Sequence, residues 1–440
     1  MRRIIELISL PATLRLMTLL AVLASLQGCT TMTRVHGEAA PAATRQLEEH
    51  TVRNEFLVSR GDDVIGRLRS VRLEKGDTLP DIARHFSLGL DGVSAANPGV
   101  DVWVPEAGKR ITLPMSFILP DAPRKGIVIN LAAMRLFQYK EYKTSLAVLT
   151  YPVGVGTEER PSPQGLMRVE RKVSRPTWHV PASIARDHLK KGDPLPASVP
   201  PGPQNPLGEY ALYLSAQSYL IHGTNKPASI GLRATNGCFR LYPEDVKRVY
   251  ESTPVKSPVT IVHQPYLLGQ SNGVMYLEVH ASAEETDSAE LDRIYRKLKV
   301  LEKESGRPLD WNKVKKVLAE ASGIPVPIHE IRPGSGKTPA EPLEVKHPAV
   351  LNFRPVIPEL KADAWSVLAA DLRDETEAVR LAAIINHQGP HIPARVVPGR
   401  PGYQVIAGPF SDGREARDAV KRLKIDLELE GRLIEPVRKR

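Results

Sequence analysis

IHGTNKPASIGLRATNGCFRL, residues 221–241, is the stretch on which the reading of this chain turns. His222 ends an apolar, β-like run, and Cys238 follows downstream, directly behind Gly237. A thiol with a pKa near ~8.5 is only slightly ionised at neutral pH. A histidine within reach can take its proton and later hand it to a leaving amine. Gly237 lets the backbone approach a substrate closely, and successive amides there can stabilise an oxyanion. A single Cys and a single His are nevertheless more often structural than catalytic, so the flanking sequence has to carry the rest.

Working outward, PLGEYALYLS (206–215) precedes the segment and RLYPEDV (240–246) continues from it. Further upstream lie VINLAAMRLFQY (128–139), two β-rich runs around a short turn, and GVGTEERPSPQG (154–165). Together these stretches run through most of a unit spanning residues 116–264, which resembles the catalytic domain of YkuD-type L,D-transpeptidases. In that family HGT is followed at this spacing by a small residue, a variable residue, Gly and Cys. The resemblance implies a mostly-β domain whose Cys238 attacks a diaminopimelate carbonyl of a peptidoglycan stem. Terminal D-alanine leaves and a thioester forms. An amine then resolves it, either a second diaminopimelate or a lysine of an envelope lipoprotein. Water in that role gives an L,D-carboxypeptidase, and a decayed site gives a non-catalytic murein-binding scaffold.

Within that scheme His222 is the general base, and the Gly223 carbonyl orients its ring. The Gly237 and Cys238 amides form the oxyanion hole. Arg240 pairs with a substrate carboxylate or serves a structural ion pair. Thr224, Ser229 and Thr235 hydrogen-bond in the site or simply hold tight turns. Asn236 stands where many members carry a second histidine; it donates a hydrogen bond but carries no proton. Residues 160–206 are interrupted by prolines and read as a lid or groove wall without helix or core strand.

The flanks read as separate modules, so the fold class is multidomain. In residues 71–114, Leu79, Ile82, Ala83 and Phe86 mark one face of a short helix. With GDTL, AANP and a closing ITLP, the unit resembles the βααβ LysM module, which implies binding to peptidoglycan glycan. Residues 284–322 read as a helical accessory segment and 323–360 as a Pro-rich linker. In 364–440 a strand, a helix (Ala378, Leu381, Ala382, Ile385), a strand YQVIAGPF and a second helix (Ala416, Ala419, Val420, Leu423) resemble an α+β (βαββαβ) SPOR domain, which implies binding to bare glycan strands.

The net charge of +10 suits an anionic envelope, and no zinc-finger or RNA-recognition pattern points to nucleic acid. Neither cysteine sits at metal-ligand spacing, so no metal or cofactor is expected. Arg2, Arg3 and the apolar run LMTLLAVLASL form a signal peptide (1–28) ending in LQGC. That ending resembles a bacterial lipobox, which implies a lipidated Cys29, a polar tether over 29–65 and a periplasmic protein anchored in the outer membrane. Cys29→Ser is therefore expected to shift the protein from the membrane to the soluble fraction; unchanged sedimentation with membranes would count against lipidation.

Overall fold

Residues 54–59, 61–281, 288–329, 341–400 and 402–437 are described by the computed structural model. The expected signal peptide, Cys29 and most of the tether lie outside them. The end of the expected tether is instead part of the fold. Glu55–Val58 (β1) pairs antiparallel with residues 146–149, and Val64–Gly66 (β2) pairs with residues 116–118. Alternation in EFLV suits an edge strand, and the polar residues around it hide the pattern.

Arg69–Arg72 (β3), Leu79–His85 (α1), Leu90–Ala95 (α2) and Arg110–Leu113 (β4) follow, with β3 and β4 antiparallel. Thr78 caps α1, its Oγ1 accepting from the Asp81 N–H at 3.2 Å. Pro80 sits in the first turn, where its missing N–H has no partner to lose. Leu79, Ile82, Ala83 and Phe86 pack with Val71, Ile111 and Leu113 into one core.

The central domain contains Ser116–Ile118 (β5), Ile127–Asn130 (β6), Arg135–Glu141 (β7), Leu146–Pro152 (β8), Val155–Gly156 (β9) and Gly165–Ser174 (β10). Trp178–His179 (β11), Ala182–Lys190 (α3), Ser198–Val199 (β12), Tyr210–Leu214 (β13) and Leu220–His222 (β14) come next. Arg233–Thr235 (β15), Phe239–Arg240 (β16), Pro243–Ser252 (α4) and Pro258–Val262 (β17) complete it. Nine strands form one sheet in the order β1-β8-β7-β6-β17-β10-β13-β14-β16. The β6–β17 and β14–β16 pairs are parallel. Ile127, Ile129 and Leu136 join the core under α4, whereas Val128, Phe137 and Val148 join the core of the βααβ unit. Strands covered on both faces read as continuous apolar runs, which is why β6 is IVIN.

One expectation needs correction here. Residues 160–206 do hold a core strand and a helix: β10 lies between β17 and β13, and α3 begins behind Pro181. The prolines fall outside both elements and so do not break them. The β-like run that ends at His222 is a hairpin, β13–β14, closed by the Leu214 N–H donating to the Tyr219 carbonyl at 3.0 Å.

Tyr266–Ser271 (β18) and Val274–Val279 (β19) form a hairpin that the sequence pattern did not announce. Ser288–Ser305 (α5), Trp311–Glu320 (α6) and Val326–Pro327 (β20) pack on it, with Leu277, Ile294, Leu298, Val314 and Val317 inside. The expected linker is also partly built into the fold. Leu343–Glu344 (β21) pairs parallel with β3, His347 Nε2 meets Asp77 at 3.0 Å, and Leu351 is buried in the βααβ core.

Trp365–Leu372 (β22), Glu375–Asn386 (α7), Ala394–Gly399 (β23), Gly402–Phe410 (β24), Gly413–Leu427 (α8) and Arg432–Ile434 (β25) make the C-terminal βαββαβ domain. Its sheet runs β23-β24-β22-β25. α7 meets the βααβ unit through Arg380–Asp101 (2.6 Å) and His387–Asp81 (3.1 Å). No described helix is long and apolar enough to cross a membrane.

Arg84 of α1 joins the βααβ unit to the central domain. Its Nε and Nη2 each lie 2.9 Å from a Glu244 oxygen, and its guanidinium stacks on Phe353 at 4.7 Å. Both partners are largely buried. Arg84→Ala leaves Glu244 buried without its cation and is expected to destabilise the chain by about 3 kcal/mol. Urea unfolding monitored by circular dichroism checks this; an unchanged midpoint would show that the pair is dispensable.

Candidate active site

Parity places the key side chains. In the parallel pair β14–β16, Ile221 aligns with Phe239 and His222 with Arg240. Ile221 and Phe239 are fully buried in the core beneath α4. Side chains alternate along strands, so Cys238, Arg240 and His222 turn to the opposite face. Cys238 is thereby a diagonal neighbour of His222, a relation that sets Cα atoms roughly 7–8 Å apart and leaves the side chains within reach. All three line one cavity of about 1580 Å³.

The turn before Cys238 is tightly constrained. Gly237 has φ +100°, and a Cβ there would lie 2.8 Å from the Tyr219 ring. Thr235 Oγ1 donates to the Cys238 carbonyl at 2.7 Å and accepts from the Gly237 N–H at 3.2 Å. Thr235 therefore holds the turn. The Gly237 N–H, expected in the oxyanion hole, is already engaged. Ser162, which the sequence pattern did not single out, donates to the Gly237 carbonyl at 3.0 Å.

The other expected residues divide in the same way. Thr224 is buried and accepts from the Lys226 N–H at 2.9 Å, a local turn contact. Ser229 accepts from Arg240 Nη1 at 2.8 Å and so positions the guanidinium. Asn236 is exposed at the cavity rim and accepts from Arg160 Nη1 at 2.6 Å; Arg160 also pairs with Asp187. Trp178, His179 and His188 line the cavity too, and His188 Nδ1 lies 3.0 Å from Asp193.

Burial, helped by the nearby Arg240 charge, brings the His222 pKa from 6.5 down to about 3. Backbone groups of Gly223 and Leu207 favour the charged ring, but Nδ1 makes no hydrogen bond of good geometry. Burial also pushes the Cys238 thiol up, against the pull of the Leu220 backbone and Arg240. Sγ donates to the Ser218 carbonyl at 3.6 Å. Both shifts favour a neutral thiol and a neutral imidazole in the resting pair.

Three residues that line this cavity each carry a buried polar atom without a hydrogen bond of good geometry: His222 Nδ1, Asn225 Oδ1 and Arg240 Nε. An unpaired buried polar atom costs about 1–3 kcal/mol, so three of them around one cavity set this region apart from the rest of the domain. Asn225 gave no sequence signal beyond its position after HGT.

Comparison with known proteins covers the same residues. Residues 124–261 match the family model of the YkuD L,D-transpeptidase catalytic domain, and residues 361–430 match the SPOR domain. The chain is 36% identical over 288 residues to a probable L,D-transpeptidase ErfK/SrfK of Salmonella typhimurium, covering 63% of this chain and 92% of that protein. It is 38% identical over 236 residues to the probable L,D-transpeptidase YbiS of Escherichia coli, covering 53% of this chain and 76% of that one. The chain belongs to the L,D-transpeptidase family and carries a C-terminal SPOR domain.

A raised thiol pKa means that thiolate accumulates only at alkaline pH. Alkylation of Cys238 by iodoacetamide in the free enzyme is expected to climb with pH past ~8.5 without a step near ~6.5. A plateau already reached at pH 7 would reveal a thiolate–imidazolium pair. For His222 the folded pKa lies below the unfolded one. Its contribution to stability is complete above pH 6.5 and is lost as pH falls towards 3.

Proposed function

We propose that the protein is an L,D-transpeptidase of the cell envelope that acts on peptidoglycan tetrapeptide stems through Cys238. The observation that carries this reading is the clustering of a thiol, an imidazole and a guanidinium on one face of paired strands, in a cavity with unpaired polar atoms. His222 takes the Cys238 proton as sulfur attacks the diaminopimelate carbonyl. A C–S bond forms, the C–N bond to D-alanine breaks, and the proton passes to the departing amine. With the Gly237 N–H engaged by Thr235, the Cys238 N–H carries most of the oxyanion role. Arg240, desolvated and held by Ser229, binds the carboxylate of the stem bonded to sulfur. An acceptor amine then attacks the thioester, the new C–N bond replaces C–S, and the thiol is restored.

The cell-wall polymer is also the partner of the flanking modules. The βααβ unit serves as a LysM module and the SPOR domain as a second glycan contact, so two weak contacts raise the local concentration of stems. Anchoring through Cys29 would keep the enzyme at the inner face of the outer membrane.

Mass spectrometry of a diaminopimelate tetrapeptide muropeptide incubated with the protein tests the chemistry. D-alanine loss with a cross-linked product is expected, and none with Cys238→Ala, whose circular dichroism stays unchanged. Turnover retained in that variant would overturn the mechanism, and trimmed monomer alone would make the enzyme a carboxypeptidase.

A further inference from the structure

The cavity around Cys238 is walled by two domains. Gly389, Pro390, Lys421, Arg422 and Asp426 of the SPOR domain line it together with the central domain. The contact is close: a Cβ on Gly389 would fall 1.9 Å from the Asn225 carbonyl oxygen. Lys421 of α8 pairs with Asp193 at 2.9 Å, and the other oxygen of Asp193 meets His188 at 3.0 Å.

Charges are ordered along this cavity. Arg240 is the cation that acts on both the thiol and the imidazole. Lys226 lines the same cavity and feels charges of both domains: Arg240 and Arg422 repel it, and Asp426 and Asp193 attract it. Arg422 lies one turn before Asp426 on α8, and its Nη2 donates to the Pro390 carbonyl. Burial lowers the pKa of both Lys226 and Arg422, so both cations are partly withdrawn from water. Among the described residues neither has a carboxylate within ion-pair distance, whereas the neighbouring Lys421 and Asp193 are committed to each other. Partly desolvated cations in excess over nearby acid favour an anionic guest, and a guanidinium fork matches a carboxylate.

We propose that the SPOR domain completes the substrate groove, and that Lys226 and Arg422 together form a carboxylate subsite for a peptide stem, one step further from the thiol than Arg240. The subsite rests on the transpeptidase reading. Its carboxylate comes either from the stem that acylates Cys238 or from the stem that resolves the thioester, and the two steps can be measured apart.

Full-length protein carrying Arg422→Gln, Arg422→Lys or Gly389→Leu would be assayed with tetrapeptide muropeptide, following D-alanine release and thioester mass separately from cross-link formation. Arg422→Gln is expected to raise KM about tenfold in one of the two steps with kcat little changed. Arg422→Lys should recover most of that loss. Gly389→Leu, which forces the SPOR domain away from Asn225, should reproduce it. Labelling of Cys238 by iodoacetamide should stay unchanged throughout. An effect on D-alanine release assigns the subsite to the donor stem, and an effect on cross-linking alone assigns it to the acceptor. An unchanged KM in both steps for Arg422→Gln and Gly389→Leu would overturn the subsite and leave the transpeptidase intact. If the unaltered protein labels with iodoacetamide but never acylates, the transpeptidase reading fails and the subsite falls with it.

Discussion

The parallel pairing of β14 with β16 is the constraint on which the site depends. It aligns Ile221 with Phe239 and presses both into the core, and alternation then delivers His222, Cys238 and Arg240 to the other face. A one-residue slip would exchange the faces, burying the thiol and exposing Phe239. Core packing thereby fixes the chemistry. Gly237 makes the pairing possible, because only a residue tolerating φ +100° and lacking a side chain fits beneath Tyr219.

The β6–β8 part of the nine-stranded sheet is covered on both faces, which makes the βααβ unit part of one structure with the central domain. The βααβ unit shares a core with β6, β7 and β8, Arg84 ties it to Glu244, and residues 343–354 fold back over it. The SPOR domain touches both the βααβ unit and the cavity rim. Ala416, Ala419 and Leu423 pack α8 onto its sheet, and Lys421 and Arg422 are held by Asp193 and the Pro390 carbonyl.

Much of this was legible in the sequence because some signals are local. Apolar runs on either side of a short turn announced the β6–β7 hairpin, and helical spacing announced α7 and α8. The pairing of His222 with Cys238 rested on family resemblance, since nothing local brings residues so far apart in sequence to adjacent strands. What escaped was tertiary. In β10 only Val169 is buried, and its charged neighbours Arg168, Glu170 and Lys172 read as loop amid the prolines. Asn236 looked like a lost proton carrier, while its role in holding Arg160 needed the fold. Engagement of the Gly237 N–H by Thr235 depends on one hydroxyl rotamer, and the place of Arg422 depends on how a separate domain docks.

The order of the large sheet has a mechanical side. β1 forms one edge and β16 the other. Eight inter-strand spacings of about 4.8 Å separate them, roughly 40 Å measured along the sheet. The path through the chain is far shorter, because the sheet curls: Glu55 aligns with Leu149, and Gly154, just beyond β8, exchanges both backbone hydrogen bonds with Arg240 of β16. A pull on the chain at Glu55 therefore reaches the strand beside the thiol through a few residues of β8 and its continuation, not across the width of the sheet.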